Sequence, residues 1–316
     1  MATNLTQDHE YGRFVNVFKQ FQERLAELNG VEPDLVRPTN GATSALGAVL
    51  SATRINDANK NRPSTALVAS LEYFDVFCML AMYGFDMATV KNEGILYPTE
   101  EVIRKLETKP SVLYLSVPNN PTGALLPKEE LEEILKCADE TRIIIDRSLV
   151  HPDEYCSGSE LHKKYADKDI VVVDSFSKSL GIVRDRVGYF FGLQSTTINS
   201  IHPYAHAPHL QAMAHVMGLL EDTSIITEII HKQRTSDAIL RARNWKQGMQ
   251  YHPSLSNFAL LELEPMSGEE CRIKLEDKGY LVKSGNQLHI PDRYIRIDMG
   301  QPESLEGFFN ALNQVV

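Results

Sequence analysis

The sequence predicts an α/β fold, with a mainly parallel sheet in a large domain followed by a small α+β domain. Three observations carry this. Short β-branched or apolar runs recur as far as residue 191, helical stretches separate them, and the order of elements changes beyond residue 245. With 316 residues, 43% of them hydrophobic and 23% charged, the chain has room for two domains and the composition of an ordinary folded protein.

Val15, Phe18, Phe21, Leu25 and Leu28 fall at helical spacing and Asn29-Gly30 supplies a stop, so residues 15–28 are predicted as an amphipathic helix. Beyond Thr39-Asn40-Gly41, the small residues 42–52 predict a second helix that begins just past a glycine. Strands are predicted at 66–69, 112–117, 142–146, 170–174 and 187–191, runs apolar enough for a sheet covered on both faces. Pro127 suits a first helical position and opens a helix over 128–138. Residues 210–245 read as helical, and after them come strand 256–263, helix 269–278, strand 294–298 and helix 302–316. The expected boundaries are 31–205 for the large domain, 206–239 for a connecting helical segment, and 1–30 with 240–316 for the small domain.

Composition excludes several classes. The formal net charge of −10 argues against nucleic acid as a partner. Cys78, Cys137, Cys156 and Cys271 are too widely spaced for a disulfide framework or a CxxC metal site, and no metal is expected; a reducing cytoplasm is the simplest compartment. The opening MATNLTQDHEYGR lacks the pattern of a signal peptide, and the longest largely apolar window, 76–85, is too short to span a bilayer. Neither GxxxxGK[ST] nor GxGxxG occurs. Four histidines, His202, His206, His209 and His215, cluster in one stretch, but without acidic or cysteine partners at ligand spacing.

In doubly wound sheets ligands bind at the carboxyl ends of strands. Past the predicted strand at 112–117 stands Pro118-Asn119-Asn120-Pro121-Thr122-Gly123; the next strand ends in Asp146; the one after leads into Ser175-Phe176-Ser177-Lys178; Arg186 lies eight residues later. This ordered set resembles the fold-type-I pyridoxal phosphate enzymes, class I/II aminotransferases near histidinol-phosphate aminotransferase and threonine-phosphate decarboxylase. The matching pieces are NGAT at 40–43, NPTG at 120–123, Asp146, SFSK at 175–178, RVGY at 186–189, SNF at 256–258 and IRI at 295–297. The resemblance covers most of the chain, from about Tyr11 to the C-terminus.

The resemblance implies a seven-stranded sheet in the large domain and pyridoxal 5′-phosphate as cofactor. Lys178 matches the lysine that forms the internal aldimine and then acts as general base. Asp146 matches the carboxylate that keeps the pyridine nitrogen protonated, Asn120 the amide donor to the phenolic oxygen, and Tyr73 the aromatic stacked on the ring. Ala42 and Thr43 at a helix N-terminus, Ser175 and Arg186 match the phosphate site. Tyr11 matches a tyrosine that reaches the phosphate of the neighbouring subunit, which implies a homodimer with shared active sites. Arg296 matches the clamp on the substrate α-carboxylate.

One departure bears on chemistry. The family pattern DEAY is here Asp146-Arg147-Ser148-Leu149, so the tyrosine donor to the phenolic oxygen is replaced by Leu149, which predicts a higher imine pKa. Arg184 also replaces a usual glycine. The function expected is an aminotransferase that converts an L-amino acid or related amine and a 2-oxo acid. The alternatives are a decarboxylase, lyase or cyclase using the same cofactor, or a cofactor-binding protein without turnover.

Overall fold

The computed structural model describes residues 4–151, 155 and 157–316, without the side chains of residues 4–11 and 223. Through the large unit run helix α1 (Asn4–Asn29), strand β1 (Val36–Thr39), α2 (Gly41–Asn59), β2 (Thr65–Ala69), α3 (Phe74–Met82), β3 (Asp86–Val90), α4 (Thr99–Leu106), β4 (Val112–Ser116), α5 (Lys128–Cys137), β5 (Arg142–Asp146), α6 (Gly158–Tyr165), β6 (Ile170–Ser175), the single turn α7 (Phe176–Ser179), β7 (Gly188–Gly192), α8 (Ser195–Ile201) and α9 (Leu210–Glu221). Then come α10 (Thr223–Ala242), β8 (Met249–His252), β9 (Phe258–Leu263), α11 (Gly268–Glu276), β10 (Lys283–Ser284), β11 (Tyr294–Asp298) and α12 (Leu305–Val315).

The large sheet has seven strands in the order β1-β7-β6-β5-β4-β2-β3. Strands β2 to β6 pair in parallel, and β7 runs antiparallel to both of its neighbours. Its central strands are apolar because successive side chains enter two different cores. Ile143 and Ile145 pack with Leu113, Leu115 and Val172 on one face. Ile144 packs with Tyr114, Val171 and Val173 on the other, beneath α2. The small sheet is antiparallel, in the order β10-β11-β9-β8, and buries Leu261, Ile295 and Ile297 against Phe308 and Leu312 of α12. Its opposite face carries Leu260 and Tyr294, against which Leu71 and Ile95 of the large unit pack.

Helix α1, which the sequence groups with the small domain, buries Phe21, Leu25 and Ala26 in the core of the large sheet. Polar bonds fix it there: Gln22 donates to the Val36 carbonyl at 2.9 Å and Arg24 to the Leu220 carbonyl at 3.0 Å. The helical stretch at 210–245 is broken at Asp222, whose side chain caps α10 by accepting from the Ser224 N–H at 3.1 Å. The predicted strand at 256–263 starts later, at Phe258, because Ser254 and Ser256 spend their hydroxyls on a local turn.

Candidate active site

The carboxyl ends of β2, β4, β5 and β6 open into a cavity of about 820 Å³, closed on the other side by the small unit. Ala42, Thr43, Tyr73, Asn120, Asp146, Ser175, Lys178, Arg186 and Arg296 all line it. Tyr11 lies outside the residues whose side chains are described. The sheet geometry explains the convergence: β4, β5 and β6 are neighbours in register, so the residues just beyond their carboxyl ends arrive at one rim.

At one end is an anion cradle. Helix α2 starts at Gly41, which has φ of +78°, and Asn40 gives its first turn no side-chain cap. The N–H groups at Ala42 and Thr43 are therefore left for a ligand. The Arg186 guanidinium lies over this turn, close enough that a Cβ on Gly41 would stand 3.0 Å from its Nη2. Arg186 has a left-handed backbone, φ +54°, a conformation uncommon for a side chain of its size. Gly188 closes the approach: a Cβ there would come within 2.6 Å of the Gly41 carbonyl carbon and 2.7 Å of the Ala42 nitrogen.

The Ser175 hydroxyl is engaged locally, accepting from the Ser177 N–H at 3.1 Å and donating to the Val187 carbonyl at 3.3 Å. Ser177, by contrast, lines the cavity with its Oγ buried and without a partner among the described residues. A buried hydroxyl left unmade beside an uncapped helix N-terminus and a guanidinium fits a bound phosphate. Sequence motifs named the first serine of SFSK; the second is the one whose hydroxyl has no partner among the described residues.

At the floor, Asp146 ends β5. Its Oδ1 accepts from the Ser148 N–H at 3.0 Å and its Oδ2 from the Tyr114 hydroxyl at 2.8 Å. Burial, reinforced by the Asp146 charge, pushes the Tyr114 hydroxyl well above its ordinary pKa and keeps it a donor. Glu72, also at the wall, is 4% exposed and accepts from the Ser116 hydroxyl, the Ser116 N–H at 3.3 Å and the Asn119 amide at 3.3 Å. Burial raises its carboxyl well above the usual range against those donors, and the nearby Asp146 adds to the rise. Sequence reasoning missed both Tyr114 and Glu72: each sits in an apolar stretch, and their polar partners come from other strands.

Asn120 takes its place from the same cluster, its N–H bonded to Ser116 Oγ at 3.1 Å, while its side-chain amide bonds to no other described residue. Tyr73 is half-buried and donates its hydroxyl to Asp75; burial, reinforced by that bond, raises its pKa. Leu149 and Ser148 stand beside Asp146 in the wall, and the Ser148 hydroxyl is buried without a partner among the described residues. Arg147, between them in sequence, points away into the core.

From the small unit, Arg296 on β11 lays its guanidinium 4.3 Å from the Phe258 ring centroid. Burial lowers its pKa, opposed by Asp298. Directly opposite in the ladder is Lys283 of β10, which lines the same cavity and which sequence motifs did not reveal. His289, also at the wall, stacks on Phe74 at 5.0 Å. Of the histidine cluster, none lines the cavity: His206 receives the Asn40 N–H on its carbonyl and His215 pairs with Asp185 at 2.5 Å. Among the described residues no cluster of ligands for a metal occurs.

A profile of the family "Aminotransferase class I and II" matches residues 4–312. The chain belongs to this family, an α/β fold of the type I class, whose cofactor is pyridoxal 5′-phosphate. It is 31% identical over 215 residues to histidinol-phosphate aminotransferase 2 of Carboxydothermus hydrogenoformans, an alignment covering 66% of this chain and 58% of that relative. Among solved structures it is similar to histidinol-phosphate aminotransferase from Clostridium acetobutylicum, with TM-score 0.79 and 20% identity over 94% of this chain and 88% of the other. It is also similar to L-threonine-O-3-phosphate decarboxylase from Porphyromonas gingivalis, with TM-score 0.74 and 24% identity over 98% and 95%.

Proposed function

We propose that the chain is a pyridoxal phosphate-dependent aminotransferase acting on an amino acid or related amine and a 2-oxo acid. The observation that carries this is the single cavity lined by Lys178, Asp146, Arg186 and Arg296 together. Bound there, the cofactor supplies an aldehyde and a conjugated ring able to take electrons from the substrate α-carbon.

In this reading Arg186, Ser177 and the first N–H groups of α2 at Ala42 and Thr43 would hold the phosphate, Ser175 would join them by turning its O–H from the Val187 carbonyl, and Tyr11 of a second copy would reach it. Asp146 would pair with the ring nitrogen, Asn120 would donate to the phenolic oxygen, and Tyr73 would supply an aromatic face for the ring. Lys178 Nζ is the amine that would hold the cofactor and, when not so engaged, would move the proton from the substrate α-carbon. Leu149 adds no donor at the phenolic oxygen.

Arg296 receives the substrate carboxylate through its fork of donors. Lys283 deepens the assignment. Two cations directly opposed across a ladder repel unless an anion lies between them, and none of the described ion pairs provides one. The pair therefore fits a substrate with a second anionic group, as in the phosphorylated amines for which the similar enzymes are named.

Supporting a homodimer are Phe74 and Val183 at the cavity rim, 54% and 49% exposed, apolar surface that a second copy would cover. The acidic net charge favours small molecules over nucleic acid. Among the described residues no helix is long and apolar enough to cross a membrane. The wide spacing of Cys78, Cys137, Cys156 and Cys271 supports a reducing cytoplasm as the compartment.

Leu149 in place of a hydroxyl donor favours a second reading, decarboxylation or elimination on the same cofactor. The test is to incubate the protein with cofactor, candidate amines and a 2-oxo acid, monitoring the new amino acid and released carbon dioxide or ammonia together. Amino transfer abolished by Lys178→Ala supports the first reading. Gas or ammonia release without transfer overturns it in favour of the second.

A further inference from the structure

We propose that Tyr114 is a positioning residue for Asp146, aiming its carboxylate at the ring nitrogen of the bound cofactor. The inference rests on the assignment of Asp146 to that nitrogen and adds a residue to it. Tyr114 stands opposite Ile144 across the parallel β4–β5 ladder. Ile144 and Asp146 point to the same face of the sheet, so the long Tyr114 side chain reaches diagonally to the carboxylate two residues further on. Its hydroxyl meets Oδ2 at 2.8 Å, and the ring is 1% exposed, held in the core with Val68, Ile144 and Val173.

Asp146 receives no hydrogen bond from a lysine or arginine among the described residues; Tyr114 and the Ser148 N–H are its donors. A carboxylate with one backbone and one phenol donor, each on a different oxygen, cannot turn about its χ2 without breaking both. A phenol on a rigid strand fixes the rotamer more firmly than water would and leaves the remaining lone pairs facing the cavity. The buried Glu72 close by makes this restraint useful, since repulsion between two carboxylates would otherwise rotate Asp146 away when Glu72 ionises.

The experiment measures binding, not turnover. Wild type, Tyr114→Phe, Asp146→Asn and the double variant are titrated with pyridoxamine 5′-phosphate and with its 1-deaza analogue, in which C–H replaces the ring nitrogen. Neither probe can bond covalently to Lys178. Wild type should prefer the pyridine. Tyr114→Phe should weaken pyridoxamine 5′-phosphate about tenfold while changing the analogue less than about twofold, and should add nothing in the Asp146→Asn background. Equal weakening of both probes, or of neither, overturns the role of Tyr114. A wild type indifferent to the ring nitrogen instead overturns the assignment of Asp146, and the inference falls with it.

Discussion

Arg147 Nε meets Asp174 Oδ2 at 2.9 Å, with both side chains closed off from solvent. The same guanidinium reaches Asn29 of α1 and the Tyr189 hydroxyl of β7, so one cation joins helix, turn and two strands behind the active site. Asp174 Oδ1 accepts from the Ser175 N–H at 2.6 Å, which fixes the start of the segment carrying Lys178. Burial pushes the Asp174 carboxyl up to about 6, with Arg147 opposing the rise.

Removing one member of a buried pair leaves the other charge uncompensated. Arg147→Ala should therefore lower stability by about 3–5 kcal/mol, measured by urea unfolding. A loss under about 1 kcal/mol would show that the pair carries little of the fold.

Glu72 makes stability depend on pH. Burial raises its folded-state pKa well above that of the unfolded chain, so the folded protein holds a proton that the unfolded one releases. Its contribution is fully present below the unfolded carboxylate pKa and is lost as pH rises toward the folded value. Relative to Glu72→Gln, which has no such proton, wild type should lose stability from about pH 5 upward, by at most ~1.4 kcal/mol per pH unit. Parallel stability curves for the two proteins would contradict this.

How far the sequence revealed this site depends on where each residue sits. Asp146, Asn120 and Lys178 lie at or just past the ends of strands whose apolar runs are unmistakable, and motifs flag them. Tyr114 lies within such a run, where an aromatic ring reads as core and its hydroxyl partner comes from the neighbouring strand. Arg147 was visible only as a departure from a pattern, since nothing in Asp146-Arg147-Ser148-Leu149 tells that its partner is 27 residues away. Lys283 belongs to a two-residue strand, too short to show periodicity. Among whole elements, β1 escaped because it is four residues long with Pro38 inside, and β3 because four of its five residues are exposed at the sheet edge.

The cradle of Arg186 over Gly41 predicts phosphate selectivity. Arg186→Ala should weaken pyridoxamine 5′-phosphate about 10- to 100-fold, the worth of a charged hydrogen bond, and leave unphosphorylated pyridoxamine unchanged. Fluorescence titration checks this; equal weakening of the two ligands would move the phosphate elsewhere.

Lys283 opposite Arg296 predicts which substrates respond to mutation. For amines with a phosphate or carboxylate in the side chain, Lys283→Gln should raise KM about tenfold with kcat little changed. For amines with a neutral side chain neither constant should move. A uniform effect across both sets would remove Lys283 from substrate recognition.

Lys178 lines the cavity with Asp146, Arg186 and Arg296, and the direct measurement of its proposed role is to treat the cofactor-loaded protein with borohydride and map the pyridoxyl label by peptide mass spectrometry. The label is expected on Lys178, and none on the Lys178→Ala protein. A label on another lysine, or loaded protein that takes up none, would contradict the assignment.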